Sequence, residues 1–194
     1  MTKISSLCVY CGSRIPKDPS HIDAAKSLGK DLAENGIRLV YGGGHVGLMG
    51  VIADSTLNSG GQVTGIIPGH LHDIEVSHEK LTELHIVDSM HTRKEKMFQV
   101  SDAFAVLPGG LGTLDETFEM VTWRQLRLHD KPIILVNHKD YWRPLLDLLD
   151  HMIKAGFVEK EALGYFTVVE ELKDIIPALV KAPDAEIKAD ISKF

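Results

Sequence analysis

Long apolar runs are missing from this sequence of 194 residues. No stretch reaches the roughly 18 consecutive apolar residues that a membrane-spanning helix needs. The first residues, MTKISSLCVYCGS, also lack the order of basic, apolar and small residues that defines a signal peptide. We therefore expect a cytoplasmic protein that does not act at a membrane.

An excess of positive charge is missing as well. Acidic residues outnumber basic ones by 27 to 21, and no block of Lys and Arg occurs. Because affinity for a phosphate backbone depends on clustered cations, we expect no nucleic-acid partner. An anionic ligand would have to be held by local groups, namely helix N-termini, exposed amides and one or two placed cations.

Cysteine is scarce, and Cys8 and Cys11 have the C-x-x-C spacing. Zinc would need a second ligand pair at similar spacing, and a redox-active pair begins a helix, whereas Cys8 lies inside an apolar run. We therefore expect two structural thiols.

His70 and His72 lack a carboxylate–histidine pattern at helical spacing, and no G-x-S-x-G motif occurs. The sequence predicts no metal, no cofactor and no serine hydrolase site.

The sequence does contain a regular alternation of β-rich apolar runs and longer amphipathic segments. Such alternation is typical of βαβ units, and near-continuous apolar runs are typical of strands buried on both faces. We predict an α/β fold in which helices cover both faces of a parallel sheet, with one domain over 1–181 and a polar tail over 182–194. The predicted strands are Ile4–Tyr10, Ile37–Tyr41, Gln62–Ile67, Leu84–Val87, Ala103–Leu107, Ile133–Val136 and Phe166–Val169, and the predicted helices are Ser20–Asn35, Val46–Ser59, Met90–Val100, Thr113–Leu128, Tyr141–Ala155 and Glu170–Val180.

Glycine-bearing turns follow four of the predicted strands. Ligands of open parallel sheets bind beyond the carboxyl ends of the strands, at the point where strand order reverses. Because these turns would meet at that edge, we expect the ligand site there. They are Cys11-Gly12-Ser13, Gly42-Gly43-Gly44, Pro68-Gly69 and Pro108-Gly109-Gly110.

The first glycine loop, Gly42 to Gly50, opens a helix, so it offers close backbone approach and unpaired amides to a phosphate. A dinucleotide-binding loop is one alternative. It would want an acidic residue at the end of the next strand, which ends instead in Pro68-Gly69-His70. The other alternative is that the glycines serve only chain reversal and packing.

The second glycine loop, Pro108 to Glu116, also opens a helix. Thr113 and Glu116 match a capping box, in which Thr113 would be the N-cap residue and Glu116 would bind back to the Thr113 amide. Such a cap would stabilise the helix by about 1 kcal/mol and would give Glu116 no role in binding or catalysis. Three glycines before a cap favour a loop folded around phosphate instead. Glu116 would then stand one turn from the phosphate, near an attached ribose.

Two cations interrupt the apolar face of the predicted helix Met90–Val100. Met90 and Met97 lie seven residues apart, and Arg93 and Lys94 lie between them on the same face. Charged groups are rarely buried without partners. These two therefore either extend to solvent or meet an anion, such as Glu116 or a ligand phosphate.

Taken together, these motifs resemble the "lonely guy" family of cytokinin riboside 5′-monophosphate phosphoribohydrolases, whose members were often labelled lysine decarboxylases. The pairing of an M-x-x-R-K helix with PGG-x-GT-x-x-E is highly specific, and the similarity spans about residues 7–157. The matching stretches are Cys11-Gly12-Ser13, Tyr41 to Gly44, Val46 to Gly50, Gly65 to Pro68, Met90 to Lys94, Pro108 to Glu116, Thr122-Trp123 and His129 to Pro132.

The resemblance implies a homodimer with a Rossmann-like, three-layer α/β/α fold and a mostly parallel sheet. It implies hydrolysis of the N-glycosidic bond of AMP-like or N6-modified adenosine 5′-monophosphates to free base and ribose 5-phosphate. Arg93 and Glu116 carry over as the catalytic pair. The substrate contacts that carry over are Glu75, Lys94, Gly110, Leu111, Gly112, Thr113 and Thr122, and the glycine-bearing turns add Ser13, Gly43, Gly44 and Gly109 as candidate contacts.

Two positions depart from the plant members of the family. Leu111 stands where those members are often aromatic, and Ile74 stands where they tend to carry Arg. Both departures concern the base that is bound and leave the chemistry unchanged.

The helix predicted from Thr113 has a second apolar stripe, Met120 and Trp123, beside Leu114, Phe118 and Val121. A helix that is apolar on two faces is usually buried on two sides, which predicts a symmetric dimer. A non-hydrolytic carrier of a nucleotide or cofactor phosphate stays open as an alternative function. Such a carrier needs the glycines and a cation but has no need for Glu116.

Overall fold

The computed structural model describes residues 4–72, 78 and 80–182, and in this part of the chain strands and helices alternate. The strands are β1 (Ser6–Tyr10), β2 (Arg38–Tyr41), β3 (Val63–Pro68), β4 (Glu83–Val87), β5 (Ala103–Val106), β6 (Ile133–Val136) and β7 (Thr167–Val169). The helices are α1 (Ser20–Glu34), α2 (Gly47–Asn58), α3 (Gly69–His72), α4 (Met90–Gln99), α5 (Leu111–Gln125), α6 (Arg143–Lys154) and α7 (Ile175–Lys181). Short 3-10 turns cover His138–Asp140, Lys160–Gly164 and Leu172–Asp174.

All seven strands form one sheet in the order β4-β3-β2-β1-β5-β6-β7, and each neighbouring pair is parallel. The Rossmann-like α/β prediction is confirmed. The chain moves outward from β1 through β2, β3 and β4 and then returns to β5 on the other side of β1. The strand order therefore reverses between β1 and β5, which makes their carboxyl ends the expected place for a ligand.

Successive residues of the central strands face opposite layers of helices, as a two-sided sheet requires. Leu7 and Val9 pack with α1, α2 and α7 on one face. Cys8 and Tyr10 pack with α4, α5 and α6 on the other. Both cysteines are free and buried, and burial raises the pKa of both thiols, which suits structural side chains. Among the described helices, none combines the length and the apolar composition needed to cross a bilayer.

Prolines set the beginnings of the last two helices. The helix predicted from Tyr141 begins at Arg143, with Pro144 in its first turn, where the missing amide hydrogen costs no hydrogen bond. The single helix predicted over Glu170–Val180 is instead a 3-10 turn followed by α7, whose first turn contains Pro177. The predicted tail lies outside the described residues from position 183 onward.

Candidate active site

A cavity of about 680 Å³ opens beyond the carboxyl ends of β1 and β5. The loops that follow these two strands form its walls, together with the beginnings of α1, α2 and α5 and two residues of α4. The two loops are held side by side, because the Gly12 amide donates to the Pro108 carbonyl over 3.1 Å. The cavity therefore lies at the edge that the glycine-bearing turns predict.

Helix α5 begins at this cavity without a side-chain cap. Gly110 is its N-cap residue, and no side chain accepts a hydrogen bond from the first turn. By the geometry of a helix, the amides of Leu111, Gly112 and Thr113 have no intrahelical acceptor. Uncapped amides at the positive end of a helix dipole form a site for an anion.

The predicted N-cap role of Thr113 is wrong, because the helix begins two residues earlier than expected. Thr113 is buried inside the first turn and packs against Gly109, where an added Cβ would lie 2.1 Å from the Thr113 hydroxyl. A capping box between Thr113 and Glu116 is therefore excluded. Glu116 is free to take part in another interaction.

Gly110 and Gly112 are not required by packing or by backbone conformation. An added Cβ at either position would meet no atom within 4 Å, and neither residue has a positive φ. Their missing side chains leave the helix amides open to the cavity. This arrangement is suited to close approach by a ligand.

Glu116 lies in the second turn of α5, where its carboxylate is buried beside Arg93 of α4. Glu116 Oε1 and Arg93 Nη2 are 4.0 Å apart, and about a tenth of each side chain is exposed. Arg93 Nη2 also donates to the Gly42 carbonyl over 3.1 Å. A Cβ at position 42 would lie 1.9 Å from the same nitrogen, so glycine is required there to make room for the guanidinium.

The environment of Glu116 raises its pKa to about 7. Burial is the main cause, because it disfavours the charged carboxylate, and the neighbouring Asp115 and Glu119 act in the same direction. Arg93 and Lys94 oppose the shift. A carboxyl group with this pKa is divided between its two protonation states near neutral pH and suits proton transfer.

Lys94 is buried, as the apolar face of α4 predicts, but its ammonium group is held by two carboxylates. Its Nζ lies 3.2 Å from Asp115 Oδ2 and 3.1 Å from Glu119 Oε1, both on α5. It is absent from the residues that line the cavity. Arg93 and Lys94 therefore both meet anions, and solvent exposure, the alternative for this pair, is excluded.

The predicted contacts divide into two groups. Those that line the cavity are Ser13, Gly109, Gly110, Leu111, Gly112 and Thr113, along with Arg93 and Glu116. Those that the structure places elsewhere are Lys94, Gly43, Gly44 and Thr122, while Glu75 lies outside the described residues. Gly43 has a φ of +78° and packs against β3, so this glycine serves the backbone and not the ligand.

Several residues of the cavity wall carry no local sequence signal. Tyr141, which follows β6, donates from its hydroxyl to the Gly109 carbonyl over 2.6 Å and supports the second glycine loop. His21, at the start of α1, meets the Tyr141 ring edge to face at 5.6 Å. Arg14 lies in the loop after β1. Only the folded chain brings these segments to one place.

A histidine cluster beside the first glycine loop forms a hydrogen-bonded support. Ligand atoms of His45, Asp54 and His78 lie within 4.8 Å of one another. His78 Nδ1 accepts from the Lys80 amide over 3.2 Å, so its proton is on Nε2, 2.9 Å from Asp54 Oδ1. A metal would need that nitrogen without its proton, and the cluster fits a loop support better. The His78 amide also donates to the Gly43 carbonyl.

The fold and the site together define a Rossmann-like α/β protein whose cavity combines the uncapped start of a helix with a buried carboxylate–guanidinium pair. Residues 49–179 match the protein family described as "Possible lysine decarboxylase". The chain belongs to this family. Curated proteins with similar sequences are named cytokinin riboside 5′-monophosphate phosphoribohydrolases.

Two relatives illustrate the similarity. The chain is 42% identical over 175 residues to the phosphoribohydrolase of Rhodococcoides fascians, covering 90% of this chain and 88% of the relative. It is 44% identical over 187 residues to one from Oryza sativa subsp. japonica, covering 96% and 77% of the two chains. The solved molybdenum cofactor carrier protein from Chlamydomonas reinhardtii has a TM-score of 0.70 at 17% identity, over 93% of this chain and 98% of that one. That likeness shows the fold alone.

Proposed function

We propose that the protein hydrolyses the N-glycosidic bond of AMP-like or N6-modified adenosine 5′-monophosphates, giving the free base and ribose 5-phosphate. The observation that carries the proposal is the position of Glu116, which is buried beside Arg93 and close to the uncapped start of α5. The curated relatives at 42% and 44% identity carry the name of this reaction.

The 5′-phosphate would bind at the first turn of α5, where the amides and the helix dipole favour an anion. Glu116 comes three residues after Thr113, which is about 4.5 Å further along the helix axis. The phosphate would thereby hold the ribose next to the carboxylate. Binding the substrate through a group that does not react is a common way to orient the bond that breaks.

In the proposed reaction the bond between C1′ and the base nitrogen breaks, and its electron pair leaves with the base. The ribose gains oxocarbenium character, and the ionised Glu116 stabilises the positive charge. Water forms a new bond to C1′ and gives a proton to Glu116, which releases it to solvent, while the base takes up a proton from solvent. Arg93 orients the carboxylate throughout.

Replacing Glu116 tests this function directly. Glu116→Gln keeps the size of the side chain but removes the charge, so adenine release from AMP should fall by about 100-fold or more. Chromatographic measurement of free adenine gives the rate, with Glu95→Gln on the neighbouring helix as a control that should retain turnover. Near-normal turnover by Glu116→Gln would exclude the assigned role. Binding of AMP by the wild type without adenine release would instead indicate a carrier.

We further propose that the protein is a homodimer that pairs through α5. The predicted second stripe is not the exposed one, because Met120 is buried in the core and Trp123 packs against it. The apolar side chains that are exposed along one stripe of α5 are those of Leu111, Phe118 and Leu126. A groove of about 440 Å³ lies beside Phe118 and includes Thr122. Because Thr122 does not line the cavity of its own chain, a substrate contact from it would have to come from the second copy.

The cytoplasmic location expected from the sequence stays a prediction.

A further inference from the structure

We propose that Arg14 supplies the cation that binds the 5′-phosphate and thereby sets the preference for phosphorylated substrates. This inference rests on the proposed function, since it assigns a role within the same cavity. Among the described residues that line the cavity, Arg14 and Arg93 are the cations other than histidine, and Asp115 and Glu116 are the anions.

Lys94, which the family resemblance offers as a contact, is already neutralised. Asp115 and Glu119 lie within 3.2 Å of its Nζ, and the side chain is buried between α4 and α5. Binding a phosphate would require breaking both ion pairs and turning the side chain around the start of α5. Lys94 therefore serves to hold α4 against α5.

Arg93 is also engaged. One of its nitrogens, Nη2, faces both the Gly42 carbonyl and Glu116, and the side chain is buried. It balances the charge of Glu116, so it leaves no net positive charge for a phosphate that carries about two negative ones. A second cation is therefore needed to balance the charge of the phosphate.

Arg14 is the other arginine of the cavity wall. Its backbone is fixed between the two glycine loops, because a Cβ on Gly47 would lie 2.5 Å from the Arg14 nitrogen, while the neighbouring Gly12 packs on Gly109. Its side chain is exposed and makes no ion pair or hydrogen bond with another described residue. The guanidinium is thus free to meet an anion held by the α5 amides, and its planar donors match phosphate oxygens.

His21 does not replace this charge. Its imidazole lines the same part of the cavity and is only 8% exposed. Burial lowers the pKa of His21, and His138 acts in the same direction against Asp18, so the ring is neutral at neutral pH. It can offer a hydrogen bond, whereas Arg14 offers a full charge.

The test compares AMP with adenosine in three variants. Arg14→Gln should lower kcat/KM for AMP by about 10- to 100-fold, mostly through KM, because a charge-assisted hydrogen bond to phosphate is lost. The value for adenosine should stay within about twofold, since that substrate has no phosphate. Arg14→Lys should recover part of the loss, and Lys17→Gln, in the same exposed loop but outside the cavity wall, should leave both substrates unaffected.

Binding of ribose 5-phosphate, measured by calorimetry, gives a readout that does not depend on turnover. Its affinity should fall by a similar factor in Arg14→Gln and remain unchanged in Lys17→Gln. Equal losses for AMP and adenosine, or no loss for AMP, would overturn the role of Arg14. If the wild type released no adenine from AMP, the proposed function would fail, while the calorimetric comparison would still decide on Arg14.

Discussion

At the scale of single residues, Arg93 and Lys94 show how neighbours in the sequence can differ in role. Both are buried on the apolar face of α4, as the spacing of Met90 and Met97 predicts. Successive helical residues point about 100° apart, so Arg93 lines the cavity whereas Lys94 pairs with Asp115 and Glu119 of α5. The sequence could place the pair inside the protein, but it could not say which of the two cations lines the cavity.

The pKa of Glu116 leads to a prediction on stability. The unfolded group loses its proton near 4.5 and the folded one near 7, so the folded state binds more protons between these values. Stability that the protonated carboxyl contributes is therefore lost as pH rises from about 4.5 through 7 and is constant above. Glu116→Gln has no carboxyl group at this position, so it does not lose this stability as pH rises. Between pH 4.5 and 8, the free energy of unfolding of the wild type should therefore fall by roughly 3 kcal/mol relative to that of the variant.

Urea unfolding at several pH values measures this difference, and Glu95→Gln on α4, outside the cavity wall, serves as the control. If the difference in free energy of unfolding between Glu116→Gln and the wild type did not change with pH, Glu116 would have the same pKa in the folded and unfolded chain. In that case the burial of the carboxyl group would have to be reconsidered.

At the scale of elements, the sequence places most strands and helices within two residues of their observed ends. The strand Ile133–Val136 agrees fully, because Pro132 and the Asn137 turn bound a short apolar run. The start of α5 is less well predicted, since Thr113 is a better N-cap by type than Gly110. The short helix α3 has no helical periodicity in its four residues and was missed.

The open glycines of α5 allow stability to be separated from binding. Gly112→Ala adds a side chain inside a helix where nothing obstructs it, so the free energy of unfolding should rise by up to about 1 kcal/mol. The same methyl group projects toward the anion site, so KM for AMP should rise by about tenfold or more. Urea unfolding and initial rates measure the two effects.

Gly164→Ala is the matched control, because it also has open space around it but lies outside the cavity. It should leave KM unchanged. A Gly112→Ala variant with normal KM would place the phosphate away from the first turn of α5.

At the scale of the whole molecule, the stripe on α5 predicts the oligomeric state. Light scattering at micromolar concentration should give twice the chain mass of 21.4 kDa. Phe118→Lys places a charge in the middle of the stripe and should yield a folded monomer, because burying an unpaired charge is costly. Phe157→Lys, at a side chain that is 87% exposed, should remain a dimer. A monomeric wild type would refute pairing through this helix.

The overall architecture was predictable because it depends on alternation, which is a local property of the sequence. The cavity wall was only partly predictable, because Arg14, His21 and Tyr141 are brought together by the order of the strands and not by spacing along the chain. Glycine-rich turns mark the positions where the backbone must approach a ligand or a side chain. The sequence does not distinguish between these two uses: Gly42 makes room for the Arg93 side chain, whereas Gly112 leaves open space at the cavity.

The missing side chain of Gly42 leaves the space that the Arg93 guanidinium fills, so two distant stretches of the chain depend on each other. Position 42 lies 51 residues before Arg93, yet any side chain there would displace the guanidinium. The two positions therefore have to be inherited as a unit: a relative that acquired a larger residue at the first would have to give up arginine at the second, and with it the partner of its buried acid.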